Sequence, residues 1–170
     1  MQNRFRLQRR ASTLLELILG LPLLLILLFA TVELGLLFSN MQRLEMASRA
    51  GASVASQMAL PTMDPIPADV LNAINTSLAG SGIVVEKITL EHTYDAGNPG
   101  DVGNTVELTT GGNCPDPIFM PPLPVPINRP YARVTICAAT DSLAPNCMKM
   151  FKFDLSDRVS QQATTLRHEL

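Results

Sequence analysis

Glu16 is the residue in this chain whose type and place most ask for chemistry. It stands at the near end of Leu17 to Val32, a stretch without a single charge. A carboxylate just inside an apolar boundary is expensive without a partner, and in an assembly the cheapest partner is a cation from the next subunit. Counted from the Ala11–Ser12 bond, Ser12 is the first residue and Glu16 the fifth. A second acid, Glu33, lies near the far end of the same apolar region, where it is expected to reach the headgroup layer.

Other reactive residue types are sparse. Cys114, Cys137 and Cys147 all lie in the distal part. Outside the cytoplasm one pair can form a disulfide and one thiol is left over. Cys137 with Cys147 is the favoured pair, because they bracket a loop-forming stretch, Asp141 to Asn146; Cys114 with either is the alternative. Three widely spaced thiols with only His92 and His168 make no recognisable zinc set, and no metal or cofactor is expected. His92 is read as a packed residue on the apolar face of a strand, since no nucleophile motif surrounds it. Asp95 to Asp101 has turn chemistry and misses the spacing of an EF-hand loop. Gly80-Ser-Gly82 lacks the lysine of a phosphate loop. The sequon at Asn75 and the Arg167-His-Glu-Leu170 ending are short motifs of the kind that arise by chance. The chain is expected not to be an enzyme.

The elements that must position Glu16 come next. Arg4, Arg6, Arg9 and Arg10 precede it with no acid among them, so residues 1–11 read as a basic leader held in the cytoplasm. Leu17 to Phe38 is 22 residues, which as a helix rises about 33 Å and matches a bilayer core. This predicts a single membrane span, bent at Pro22. A cleavable secretory signal would have a shorter apolar core and a small-residue site after it, which does not follow Phe29. The distal part is acidic: from Ala50 onward seven Lys and Arg face twelve Asp and Glu. That balance excludes a nucleic-acid partner, which needs a basic face.

A basic leader, a small residue, four further residues, a glutamate and a hydrophobic helix together resemble type IV prepilins and pseudopilins. Within that group the chain is similar to the TadE-like proteins of the tight-adherence (Tad or Flp) pilus system. The residues that carry the likeness are Arg9-Arg10-Ala11, Glu16, Leu21-Pro22-Leu-Leu-Leu25, Glu33-Leu-Gly35 and Arg49-Ala50-Gly51-Ala52. Ala11 stands where most members have glycine, and Leu17 where an aromatic residue often follows the glutamate. The resemblance implies removal of residues 1–11 by a prepilin peptidase between Ala11 and Ser12. The new Ser12 amine would pair with Glu16 of a neighbouring subunit. It further implies a non-enzymatic minor pseudopilin of the bacterial inner membrane, with its C-terminal domain outside the cytoplasm and with other pilins and the assembly platform as partners.

The expected fold is α+β: a long helix over 12–60 followed by a small extracytoplasmic domain, 61–170, with an antiparallel sheet. Leu37, Met41, Leu44, Ser48, Gly51, Ala55 and Met58 fall on one helical face. Its small members, Ala47, Gly51 and Ala55, would either admit another helix or pack on the chain's own sheet. Pro61 ends this helix. A second helix is expected to start at Asp64-Pro-Ile-Pro67 and to close at Gly80-Ser-Gly82. Strands are predicted over Ile83 to Tyr94, Val106 to Leu108, Tyr131 to Ala139 and Phe151 to Leu155; Val159 to Leu166 fits either a strand or a helix. The proline-dense stretch from Cys114 to Pro130 is read as an extended strap over the sheet, with a contact surface for a partner as the alternative.

Overall fold

The computed structural model describes residues 2–58, 65–93, 104–111, 114–115, 131–145, 149, 152, 154 and 158–167; side chains are described from Glu16 onward, except at 92, 93 and 104–106. The Asp95 to Asp101 loop, most of the proline-dense stretch, Cys147 and His168 lie outside these residues.

One helix dominates. α1 runs Gln2–Gln57 with Pro22 inside it, a rise of about 84 Å. It begins ten residues before Ser12, so the basic leader continues the helix instead of preceding it. Leucine-rich sequence favours the helix throughout. Thr31 donates its hydroxyl to Leu27 O at 2.7 Å, which satisfies a polar group within the apolar run.

α2, Ala68–Leu78, buries Val70, Ile74 and Leu78 against α1. Pro67 occupies its N-cap position, so the prolines precede the helix and do not lie in its first turn. Ser81 N donates to Leu78 O at 3.0 Å, and Gly80 and Gly82 both take positive φ. Glycine is the residue that adopts this backbone without strain, which is why the helix ends there.

Four antiparallel strands follow: β1 Val85–Thr93, β2 Asn104–Thr109, β3 Tyr131–Ala139 and β4 Val159–Arg167, in the order β2-β1-β3-β4. Two expectations about this sheet are corrected. The fourth strand is Val159–Arg167, whose nine residues pair with β3 from Ala139 to Tyr131. Around the expected strand at Phe151, Lys152 instead has φ 66° and donates its N–H to Lys149 O at 3.0 Å, the geometry of a turn. A short helix, α3 Thr140–Leu143, links β3 to the path back to β4, and Thr140 N donates to Arg158 O at 2.8 Å.

β1 falls within the strand predicted over Ile83 to Tyr94, and its side chains alternate between two faces. Ile88 and Leu90 face the core with Ala132, Val134 and Ile136 of β3, and Leu44, Ala47, Ala52 and Ala55 of α1 complete it. The opposite face of the sheet is polar yet also buried: Lys87, Thr89, Glu91 and Thr135 all have little exposure. Such groups are tolerated inside when paired. Arg133 Nη1 meets Glu91 Oε2 at 3.2 Å across the β1–β3 ladder, and Lys87 Nζ meets Glu107 Oε1 at 2.9 Å across β1–β2.

Candidate assembly site on the N-terminal helix

α1 has two halves with different surroundings. From Leu17 to Phe38 most of its large side chains are exposed, among them Leu17, Ile18, Leu19, Leu23, Leu24, Phe29, Val32, Leu34 and Phe38. An exposed apolar surface of this extent on every side of a helix is stable only in an apolar medium or against other apolar surfaces. By length and composition α1 is able to cross a membrane. Glu16 stands at the beginning of this surface and is itself exposed, with no hydrogen bond or ion pair among the described residues. Ala11 and Ser12 lie on α1 one turn before it.

The other half, from Glu33 on, is fixed into the domain along one stripe. Leu37, Met41, Leu44, Ala47, Ser48, Gly51 and Ala55 turn to the sheet and α2. The small residues therefore serve the chain's own packing: a Cβ placed on Gly51 would lie 2.8 Å from Ile74 Cγ1. Ser48 Oγ lies 2.9 Å from both Val134 O and Thr164 Oγ1, tying the middle of the helix to β3 and β4. Asn40 Nδ2 donates to Leu143 O at 2.6 Å, tying it to α3. Sequence reasoning placed Ser48 on this face and missed Asn40, whose only signal is an amide one turn before Leu44 on an otherwise apolar stripe. Glu33 is also a departure from expectation. It is 2% exposed, covered by the chain's own fold and not turned out to headgroups.

The disulfide is corrected as well. Cys114 bonds to Cys137 on β3, so Cys137 is not joined to Cys147. The ten-residue stretch that favoured Cys147 is partly occupied by α3, which closes that connection by hydrogen bonds instead. The bridge holds Cys114 to the polar face of the sheet, where Gln161 Nε2 on β4 donates to Pro115 O at 2.7 Å. Glu86, at a bulge in β1, brings a carboxylate oxygen to 3.3 Å from Cys114 Sγ. These three residues place their potential ligand atoms within 4.8 Å of one another. With the sulfurs bonded to each other, neither is the thiolate that a soft metal would take.

Beside α2 an open trough of about 390 Å³ is lined by Leu71, Leu78, Ile83, Val85, Ile88 and Leu108. Asn75 and Thr110 are the polar members of its lining, and among the described residues no acid–base pair faces it.

Residues 11–53 match the family model of TadE-like proteins. This part of the chain is TadE-like. The match opens at Ala11, takes in Glu16 and the exposed apolar surface, and closes within the small-residue stripe. The sheet domain lies outside the TadE-like residues. No curated protein and no solved structure matches the chain.

Proposed function

We propose that the protein is a non-enzymatic, membrane-anchored minor pseudopilin of a Tad pilus or a related secretion system. The observation that carries this reading is the coincidence of the TadE-like residues with the exposed apolar half of α1 and the acid at its near end. An isolated helix of this kind inserts in a bilayer as it is. Glu16, at the near boundary, gains most when a cation lies beside it. Cleavage between Ala11 and Ser12 by a prepilin peptidase supplies one, the Ser12 α-amine of the adjacent subunit. Residues 1–11 then remain cytoplasmic, α1 spans the inner membrane, and the α2 and sheet domain lies outside, within reach of pilins and the assembly platform.

Replacing Glu16 with Gln tests the role of the charge. The proposal expects membrane insertion to be intact and incorporation into the pilus machinery to be lost. Normal assembly by Glu16→Gln would remove the argument. Intact-mass measurement of protein from cells with an active peptidase tests the processing: a mature chain beginning at Ser12 is expected, and one still beginning at Met1 refutes cleavage. A second reading, an uncleaved signal-anchored extracytoplasmic binding or enzymatic domain, is favoured by Ala11 in the glycine position. It predicts that both Glu16→Gln and peptidase loss leave the protein unaffected.

A further inference from the structure

The hydrogen bonds between α1 and the domain fix where the domain stands along the helix. Asn40 is bonded to Leu143 and Ser48 to Val134, so β3 descends as α1 rises. From Asn40 to Ser48 the helix climbs about 12 Å, and from Ser48's partner Val134 down to Ala138 the strand covers about 13 Å. Ala138, near the lower end of β3 and just before α3, therefore lies close to the level of Asn40. Its ladder partner on β1 is Val85, and Val84 immediately precedes it.

The other side of α1 marks where the apolar medium ends. Leu34, Leu36 and Phe38 are exposed, Phe38 at 61%, and they are followed by exposed Ser39, Gln42 and Arg43. Hydrocarbon contact thus ends near Phe38, about 3 Å below Asn40. On the other side of the helix Glu33, about 7 Å below Phe38 along the axis, is buried by the chain itself at 2% exposure. The headgroup region occupies about 5–7 Å beyond the hydrocarbon on each side. The base of the domain falls inside it.

Val84 lies in this base and is 62% exposed. Among the described residues, it and Leu108 are the large apolar side chains outside α1 that are exposed. A single exposed valine has no meaning by itself; its level does. We propose that the domain rests on the bilayer surface, with the turn from Gly80 to Val84 and α3 seated in the headgroup layer and Val84 as its apolar contact. The domain is then not a free head on a stalk. Its long axis is held to the membrane normal by two contacts, the span and the base, and the polar end of the sheet at Thr93, Tyr131 and Arg167 is presented outward. This inference rests on the membrane-spanning reading of α1.

The chain contains no tryptophan, so single tryptophans report position in the full-length protein. Val84→Trp, Leu25→Trp and Gln57→Trp are reconstituted separately in phosphatidylcholine–phosphatidylglycerol vesicles containing lipids brominated either near the headgroup or deep in the acyl chain. Leu25→Trp is expected to be quenched by the deep bromines. Val84→Trp is expected to emit at shorter wavelength than in detergent-free unfolded chain and to lose intensity to shallow bromines and not to deep ones. Gln57→Trp, near the far end of α1, is expected to be unaffected by both. If Val84→Trp is unquenched while Leu25→Trp is quenched, the span stands and the seated domain is wrong. If Leu25→Trp is unquenched too, the spanning reading fails and this inference with it.

Discussion

Ile74 of α2 occupies the space that a side chain on Gly51 of α1 would need: Cγ1 and Cδ1 lie 2.8 and 3.0 Å from where a Cβ would be. Val134 Cγ1 of β3 stands 3.4 Å from the same point, so Gly51 sits where helix, helix and sheet meet. Overpacking of a filled core costs about 1–3 kcal/mol. Gly51→Ala is expected to lower stability by that amount in chemical denaturation of the domain. Gly35→Ala, where nothing lies within 4 Å, is the matched control and is expected to leave stability unchanged or slightly raised.

The ion pair between Arg133 and Glu91 is nearly dry, with side-chain exposures of 12% and 10%. Among the described residues Glu91 Oε1 has no hydrogen-bond donor, so the arginine satisfies this carboxylate on one oxygen. Removing one partner of a buried pair costs about 3–5 kcal/mol, whereas replacing both with apolar residues is often neutral. Arg133→Met alone is expected to be strongly destabilising. The double replacement Glu91→Leu with Arg133→Met is expected to recover most of the loss. Urea melts of the wild type, the single and the double variant give the comparison; a double variant no better than the single one would show that the pair is required as a pair.

Cys114 and Cys137 close a loop with a sequence separation of 23. By loop entropy alone, a bridge of this span contributes about 3 kcal/mol. Replacing both cysteines with serine is expected to lower stability by that order. Proteolysis without reductant, followed by mass spectrometry, should recover the peptides of Cys114 and Cys137 as one linked species. A linked Cys137–Cys147 peptide would contradict the structure.

What was legible in the sequence divides along α1. Charge, length and the leucine-rich run show the helix and its apolar surface directly, because these properties act locally and in one dimension. The alternation of Ile88 and Leu90 with Thr89 and Glu91 shows β1 for the same reason. Other features escaped, and three of them show why. β4 reads Val-Ser-Gln-Gln-Ala-Thr-Thr-Leu-Arg and has no alternation strong enough to separate strand from helix; only its full pairing with β3 decides it. The partner of Cys137 was missed because proximity in sequence favoured Cys147, while the sheet brings Cys114 to its polar face. Glu33 is buried against an expectation of outward exposure, because the burial of a single acid on an apolar helix comes from tertiary packing that a sequence does not show. In the candidate site, spacing and resemblance single out Ala11, Ser12 and Glu16, and the pairing proposed for them lies between subunits, where a single chain carries no signal of it.

Asn40 ties the lower part of α1 to α3: its Nδ2 donates to Leu143 O at 2.6 Å, and Leu143 is fully buried. Leu143 ends α3, and Ala144 N donates to Thr140 O at 3.2 Å to close that single turn. Asn40→Leu keeps the size of the side chain and deletes the donor, leaving a carbonyl without this partner at a cost of about 1–3 kcal/mol. Ser48 and the Gly51 contact lie higher on the helix and remain, so the loss should be local. Faster amide exchange at Ala144 and Thr140 is expected, with exchange at Val134 and Leu90 in the sheet unchanged. Equal acceleration at all four amides would mean that the helix and the domain open as one unit, and that Asn40 does not hold the base separately.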